Sequence, residues 1–341
     1  MYRFIRFFLF FFSPEVAHKL TAILLKVLRY VPFSGSLLRC MYYFHSSKLE
    51  REVLGIKFRN PIGLAAGLDK NGELYNEFSH FGFSFVEIGS ITPLPQPGNP
   101  KPRCFRIIPD KAIVNRMGMN NKGVSQAILN LRFRKPRIVI GGNISKNTHT
   151  PNEKAAEDYV RSFNSLYDHV DYFTINVSCP NVEDLCKLQD TASLSDIISR
   201  LVTLRQNKGK YRPILLKISP DITIEQLDEL IDFIMASGVD GVVATNTTVG
   251  REGLKTPSKR LEAIGNGGLS GAPLKRKSLE IIRYIHKKTD GKLPIIGSGG
   301  VMTPQDALEM LQAGASLVQI YTGFIYNGPG VVKQILKKIA R

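Results

Sequence analysis

The sequence predicts an α/β fold: a (β/α)8 TIM barrel with an N-terminal two-helix membrane-associating extension. Three observations predict it. From about residue 53, short apolar runs recur, each followed by glycine or polar residues and then by a helical pattern. The runs are apolar on both faces, which implies parallel strands covered by helices. Eight such units point to a closed barrel rather than a doubly wound sheet.

The extension comes first. Residues 1–12 read MYRFIRFFLFFF. The uninterrupted run Phe7–Phe12 is far short of the ~20 residues that span a bilayer. Ser13-Pro14-Glu15 stands where a signal peptide would need small cleavage-site residues. Those residues start a helix instead, with Ser13 as N-cap and Pro14 at its first position. Val16, Ala17, Leu20, Ile23, Leu24, Val27, Leu28 and Val31 form its stripe, which stops at Pro32. A second helix is expected over Ser36–Phe44. Lys19, Lys26, Arg29, Arg39 and Lys48 flank the pair. Two readings remain: an in-plane membrane anchor behind an aromatic leader, or a helical hairpin packed on the barrel. The phenylalanine cluster favours the membrane.

The barrel strands follow in order at Ile62–Ala66, Phe85–Ile88, Ile138–Ile140, Tyr172–Val177, Ile214–Ile218, Gly241–Thr245, Pro294–Ile296 and Leu317–Tyr321. Clear helices lie between them at Thr223–Ser237 and, after the N-cap Thr303, at Pro304–Ala313. The Pro- and Arg-rich segment Ser90–Gly123 is too long for an ordinary connection, and such insertions are usually functional. The expected division is residues 1–48 as extension and 49–341 as catalytic barrel.

Among the 341 residues, 46 Lys and Arg face 29 Asp and Glu, a net charge of +17. That excess fits nucleic acid, an anionic membrane or an acidic substrate. No nucleic-acid-binding module or basic, aromatic strand face accompanies it, so no nucleic-acid partner is expected. The four cysteines form no CxxC pair and the six histidines are dispersed. A disulfide framework and a metal site are therefore not expected, and a reducing compartment is.

Barrel chemistry sits at the carboxyl ends of the strands. The residues there are Ala66-Gly67 with Lys70, Ser90, Asn143, Asn176, Lys217, Thr245-Asn246-Thr247, and the turns Gly297–Gly300 and Tyr321–Gly323. Asn and Lys at apolar strand ends cost free energy unless a ligand satisfies them. Together they suit a planar, polar-edged cofactor bearing a phosphate. The turns after strands 7 and 8 lie where barrel phosphate sites form, and Gly267–Gly271 is placed to add backbone donors. Cys179 follows a strand end between Asn176 and Asn181. A lone cysteine is usually a small buried hydrophobe, but these polar neighbours favour a thiolate acting as general base or as nucleophile.

These residues fall into motifs: AAGLDKNG at Ala65–Gly72, PRCFR at Pro102–Arg106, NRMGMNNKG at Asn115–Gly123, NVSCPN at Asn176–Asn181, LKISPD at Leu216–Asp221, ATNTT at Ala244–Thr248, GGLSG at Gly267–Gly271 and QIYTGFIYNGP at Gln319–Pro329. The set resembles dihydroorotate dehydrogenase over nearly the whole chain. PEVAH at Pro14–His18 resembles the quinone-dependent, membrane-associated class. The resemblance implies FMN in the barrel mouth and oxidation of (S)-dihydroorotate to orotate in pyrimidine biosynthesis. It implies a membrane quinone as acceptor and peripheral attachment to the cytoplasmic face of a bacterial cell membrane.

By the same resemblance, FMN contacts fall on Ala66, Gly67, Ser90, Asn143, Asn176, Lys217, Thr245, Gly268, Gly297, Gly299, Gly300, Tyr321 and Thr322. Substrate contacts fall on Lys70, Asn115, Arg116, Met117, Gly118, Met119, Asn176, Asn181, Asn246 and Thr247. Cys179 is the implied base, and His18, Arg106 and Tyr321 are the polar ends of a quinone tunnel. Two departures stand out. The quinone-dependent class carries Ser as base, whereas Cys179 resembles the soluble class that uses fumarate or NAD. Residues Val182–Cys186 also lack the family's Thr-Pro-Gly-Leu-Arg-like loop, and Cys186 is assigned no role. The competing functional readings are a soluble-type dihydroorotate dehydrogenase using fumarate or NAD, or another phosphate-binding barrel enzyme.

Overall fold

The computed structural model describes residues 2–132, 138–178 and 191–341. Three helices open this stretch: α1 (Tyr2–Phe11), α2 (Pro14–Leu28) and α3 (Ser34–Tyr42). The aromatic leader, read above as a preamble to two helices, is itself helical. Its helix is fixed from outside: Tyr2 donates its hydroxyl to Ile325 O at 2.5 Å and Arg6 donates to Tyr326 O at 2.7 Å. The second helix begins as expected, with Ser13 Oγ accepting from Val16 N. The third starts two residues earlier than its apolar pattern suggests.

A hairpin, β1 (Arg51–Val53) and β2 (Ile56–Phe58), follows. Leu54 and Gly55 both adopt positive φ, 58° and 70°, the two-residue turn whose twist suits paired strands. Phe58 from this hairpin plugs one end of the barrel, its ring 5.4 Å from that of Phe85.

The barrel strands are β3 (Ile62–Leu64) and β4 (Phe85–Ile91); then, beyond the insertion strands β5 (Cys104–Ile107) and β6 (Ala112–Asn115), β7 (Val139–Ile144), β8 (Tyr172–Asn176), β9 (Ile214–Ile218) and β10 (Gly241–Ala244); then, beyond β11 (Gly268–Gly271), β12 (Ile295–Ser298) and β13 (Leu317–Ile320). All eight pair in parallel and close in the order β3-β4-β7-β8-β9-β10-β12-β13 and back to β3. The interior is layered. Phe85, Tyr172, Leu215, Val243, Ile296 and Leu317 pack with Phe58 at the closed end. Two glycines make room: a Cβ on Gly63 or Gly141 would come within 2.3 Å of the Phe85 ring or 2.2 Å of the Tyr172 ring. Above this apolar layer lie the buried polar side chains of Glu87, Thr174 and Gln319.

The insertion is not a loop. Strand β6 pairs antiparallel with β5 on one side and with β11 on the other, Gly268 of β11 lying opposite Asn115. Gly268–Gly271, read above as a donor loop, is therefore a strand. Its Leu269 N–H is already donated to Thr248 O. The separation of 153 residues between Asn115 and Gly268 hides this pairing from any local pattern.

Candidate active site

The open end of the barrel holds a cavity. Its wall comes from the turns after β3, β4, β8, β9, β10, β12 and β13, roofed by the residues following β6. Ala66, Gly67, Ser90, Asn176, Lys217, Thr245, Gly299, Gly300, Tyr321 and Thr322 line it, as expected from the sequence. So do Lys70, Asn115, Met117, Gly118, Met119, Asn246 and Thr247. Among the described lining residues the ionisable charges are Lys70 and Lys217, with no carboxylate. Such a wall selects anionic ligands, because a buried anion needs cations or fixed dipoles to replace its hydration.

Several expected residues stand elsewhere. Asn143 is fully buried behind the wall, where its carbonyl accepts from Ser90 Oγ and its amide donates to Glu87 at 2.8 Å. Gly297 faces Ala315 and Ile282, on the side of the covering helices, and Gly268 pairs with Asn115. Arg116 turns away: it donates to Ile264 O, to Asn266 O at 3.0 Å and to Pro102 O at 3.2 Å, and stacks on Phe105. It braces the insertion rather than the cavity. Cys179, Asn181 and the 182–186 segment lie outside the described residues. Gln319, Ser270, Ser298 and Met302 line the cavity without having been singled out. Gln319 had a signal, as a polar residue inside an apolar strand.

A run of side-chain hydrogen bonds crosses the cavity floor. Asn246 donates to Asn176 Oδ1 at 3.3 Å, Asn176 donates to Ser90 Oγ at 2.8 Å, and Ser90 donates to Asn143. Asn246 also donates to Ser178 O and Oγ at 3.1 Å, and Ser178 Oγ donates to Lys217 O at 2.7 Å. Each amide thus has its orientation set by its neighbours. The phosphate side is braced by the Ser270–Thr322 hydroxyl pair at 2.8 Å.

Tyr321, on the cavity wall, packs its ring 3.2 Å from where a Gly67 Cβ would stand, and burial pushes its phenol far above the usual range. Cys104 lies within electrostatic reach of both Tyr321 and Lys70, and burial pushes its thiol up to about 11. His18 lies on α2 and is exposed. Desolvation, and then the charge of Lys70, hold its imidazole below the ordinary value. Arg106 closes the far side, donating to Phe12 O at 2.7 Å with its guanidinium 4.3 Å from the Phe10 ring centre. Electrostatic contacts link His18 to Lys70, and Lys70, Arg106 and Tyr321 to Cys104.

The family model described as dihydroorotate dehydrogenase matches residues 48–341. The chain belongs to the dihydroorotate dehydrogenase family. Curated relatives named dihydroorotate dehydrogenase (quinone) include one from Christiangramia forsetii, 50% identical over 97% of this chain and 96% of its own length. Another, from Aeromonas salmonicida, is 44% identical over 99% of this chain and all of its own. A crystal structure of the Eimeria tenella enzyme, DHODH, in complex with ferulenol superimposes with a TM-score of 0.85 at 35% identity. It covers 96% of this chain and 90% of that one.

Dihydroorotate dehydrogenases of this family are FMN-dependent, and the cavity fits that group. Lys217 stands at the wall to face an electron-rich ring edge, and the glycine turns after β12 and β13 admit a phosphate.

Proposed function

We propose that this chain oxidises (S)-dihydroorotate to orotate in pyrimidine biosynthesis, with FMN as cofactor and a quinone as electron acceptor. One observation carries the reading: a cavity at the barrel mouth whose charged lining side chains, among the described residues, are Lys70 and Lys217. FMN, when bound, supplies the hydride acceptor. Lys70 then faces the substrate carboxylate, and Asn115, Asn176, Asn246 and Thr247 present the donors and acceptors that a pyrimidine edge requires. Cys179, directly after the fully buried Ser178, takes the C5 proton while hydride leaves C6. Thiol acidity (~8.5 unperturbed) makes that deprotonation less costly than for a serine hydroxyl. Lys217 balances the negative charge gained in the cavity.

Residues 1–48 serve in this reading as the quinone entry and 49–341 as the catalytic barrel. Phe4, Phe7, Phe8, Phe11, Leu24, Tyr30, Phe33 and Leu37 are exposed along α1, α2 and α3. No helix among the described residues is long and apolar enough to cross a membrane. An apolar face of this extent with basic flanks lies in the membrane plane, here on the cytoplasmic face of a bacterial membrane. Absorbance tests the chemistry: the purified protein should be yellow, bleach anaerobically with dihydroorotate and regain colour with a soluble quinone. A colourless protein that takes up no FMN would refute it.

A further inference from the structure

The helix α2 is tied to the rest of the fold by ion pairs along its length. Of its fifteen residues, Ala17 and Leu25 are the buried ones. Glu15, in its first turn, pairs with Arg103. At its other end Lys26 pairs with Glu73 and Arg29 with Glu77, and Arg29 also donates to Glu73 O at 2.8 Å.

Glu73 holds more than the helix. Its Oε2 accepts from Lys26, while its Oε1 accepts from Lys122 Nζ at 2.8 Å and from Asn71 Nδ2 at 3.3 Å. Asn71 follows the cavity residue Lys70, and its Oδ1 accepts from Lys122 N at 2.9 Å. Lys122 stands at the end of the segment whose Met117, Gly118 and Met119 line the cavity. Glu73 N is donated to Asp69 Oδ1 at 2.7 Å, which closes the turn carrying Lys70. One carboxylate, its side chain 17% exposed, thus joins three pieces of chain: α2, the Lys70 turn and the roof of the cavity.

We infer that Glu73 is a positioning residue that couples the seating of α2 to the binding of an anionic substrate in the cavity. The inference rests on the function proposed above, in which the substrate carboxylate meets Lys70. An anion held between Lys70 and the roof steadies both segments, and with them Asn71 and Lys122 on one oxygen of Glu73. The other oxygen then stands in one place for Lys26. A single ion pair between partly exposed groups contributes little, because solvent and salt screen it. A carboxylate shared by two cations behaves differently, since turning to follow one partner strains its bond to the other, and the two bonds are energetically coupled. Such coupling is reciprocal: what the ligand does for the helix, the helix does for the ligand.

The test uses holoenzyme carrying FMN, with orotate as the probe of the cavity, titrated by the change in flavin absorbance. Amide hydrogen exchange over residues 14–28 reads the helix. In the parent protein, saturating orotate should slow that exchange roughly fivefold. Glu73→Gln should abolish the slowing, and so should Lys122→Met, which alters the cavity side of the carboxylate and leaves Lys26 in place. Lys26→Met, on the helix side and outside the cavity wall, should weaken orotate binding roughly threefold. In a Glu73→Gln background the same change at Lys26 should have no further effect. Lys26 and Lys122 are 42% and 59% exposed, so their variants test the coupling even should those at Glu73 not fold. A role confined to holding α2 would leave orotate affinity unaltered in Lys26→Met, and that result overturns the inference. Exchange in α2 that orotate leaves unchanged in the parent protein overturns it equally. Protein whose flavin does not respond to orotate refutes the functional reading beneath it.

Discussion

Arg103 Nε donates to Glu15 Oε1 at 3.0 Å, joining the insertion between β4 and β7 to the first turn of α2. The other end of the Arg103 guanidinium donates to Pro97 O at 2.6 Å and Asn99 O at 2.9 Å. One buried side chain thus holds both the loop before β5 and the helix α2. Removing one partner of a buried ion pair is far costlier than losing a surface pair. Arg103→Ala should destabilise the protein by about 3 kcal/mol, read as a lower melting temperature, and should expose residues 13–33 to protease. Equal melting and equal cleavage would show that the pair contributes nothing.

Deletion of residues 1–45 should largely abolish turnover with long-chain quinone. It removes α1, α2 and α3 together with His18, while Tyr321 and the cavity wall remain. Reduction of bound FMN by dihydroorotate should persist in the truncated protein. Stopped-flow absorbance separates the two half-reactions, and undiminished quinone turnover would place the acceptor site elsewhere.

Cys179→Ala should lose dihydroorotate oxidation by about two to four orders of magnitude, the usual contribution of a positioned base. Bound FMN should be retained. Flavin content and anaerobic bleaching measure both; normal bleaching would remove Cys179 from the chemistry.

Asp69 accepts from Glu73 N at 2.7 Å and Leu74 N at 2.8 Å, closing the turn that leads into the helix beginning at Tyr75. Burial pushes its carboxyl up to about 6, against those two hydrogen bonds, with the charges of Glu73 and Glu77 adding to the rise. The folded value exceeds the unfolded one, so the native state binds the extra proton between about pH 4 and 6. The contribution of this group to stability is therefore full below pH 4 and is lost as pH rises through 6. In Asp69→Asn that dependence disappears. The stability of the variant relative to the parent should increase by roughly 3 kcal/mol from pH 4 to pH 7, whatever the constant cost of the weaker cap. Denaturant titrations across that range check the slope; parallel curves would mean that Asp69 titrates normally.

The barrel strands and most of the cavity wall were legible in the sequence because both are local signals. An apolar run such as Ile214–Ile218 specifies a covered strand, and a lysine within it at 217 is anomalous unless it serves a ligand. Arg116 was misplaced because its motif gives its position in the chain and not the direction of its side chain. Direction came from the carbonyls of Ile264 and Asn266, about 150 residues away. The helix α1 escaped notice because its aromatic run has no capping residue, and contacts with Ile325 and Tyr326 hold it instead.

By itself the sequence determined the barrel, the order of its strands, the cations of its mouth and the family, since periodicity and motif spacing act over a few residues. Only the tertiary structure decided that Gly268–Gly271 is the third strand of the insertion sheet, that Arg103 ties this insertion to α2, and that Glu87 accepts a hydrogen bond from Gln319. Those features join residues 88 to 232 positions apart. Pairing at such separations is fixed by the closing of the barrel, which no local pattern encodes.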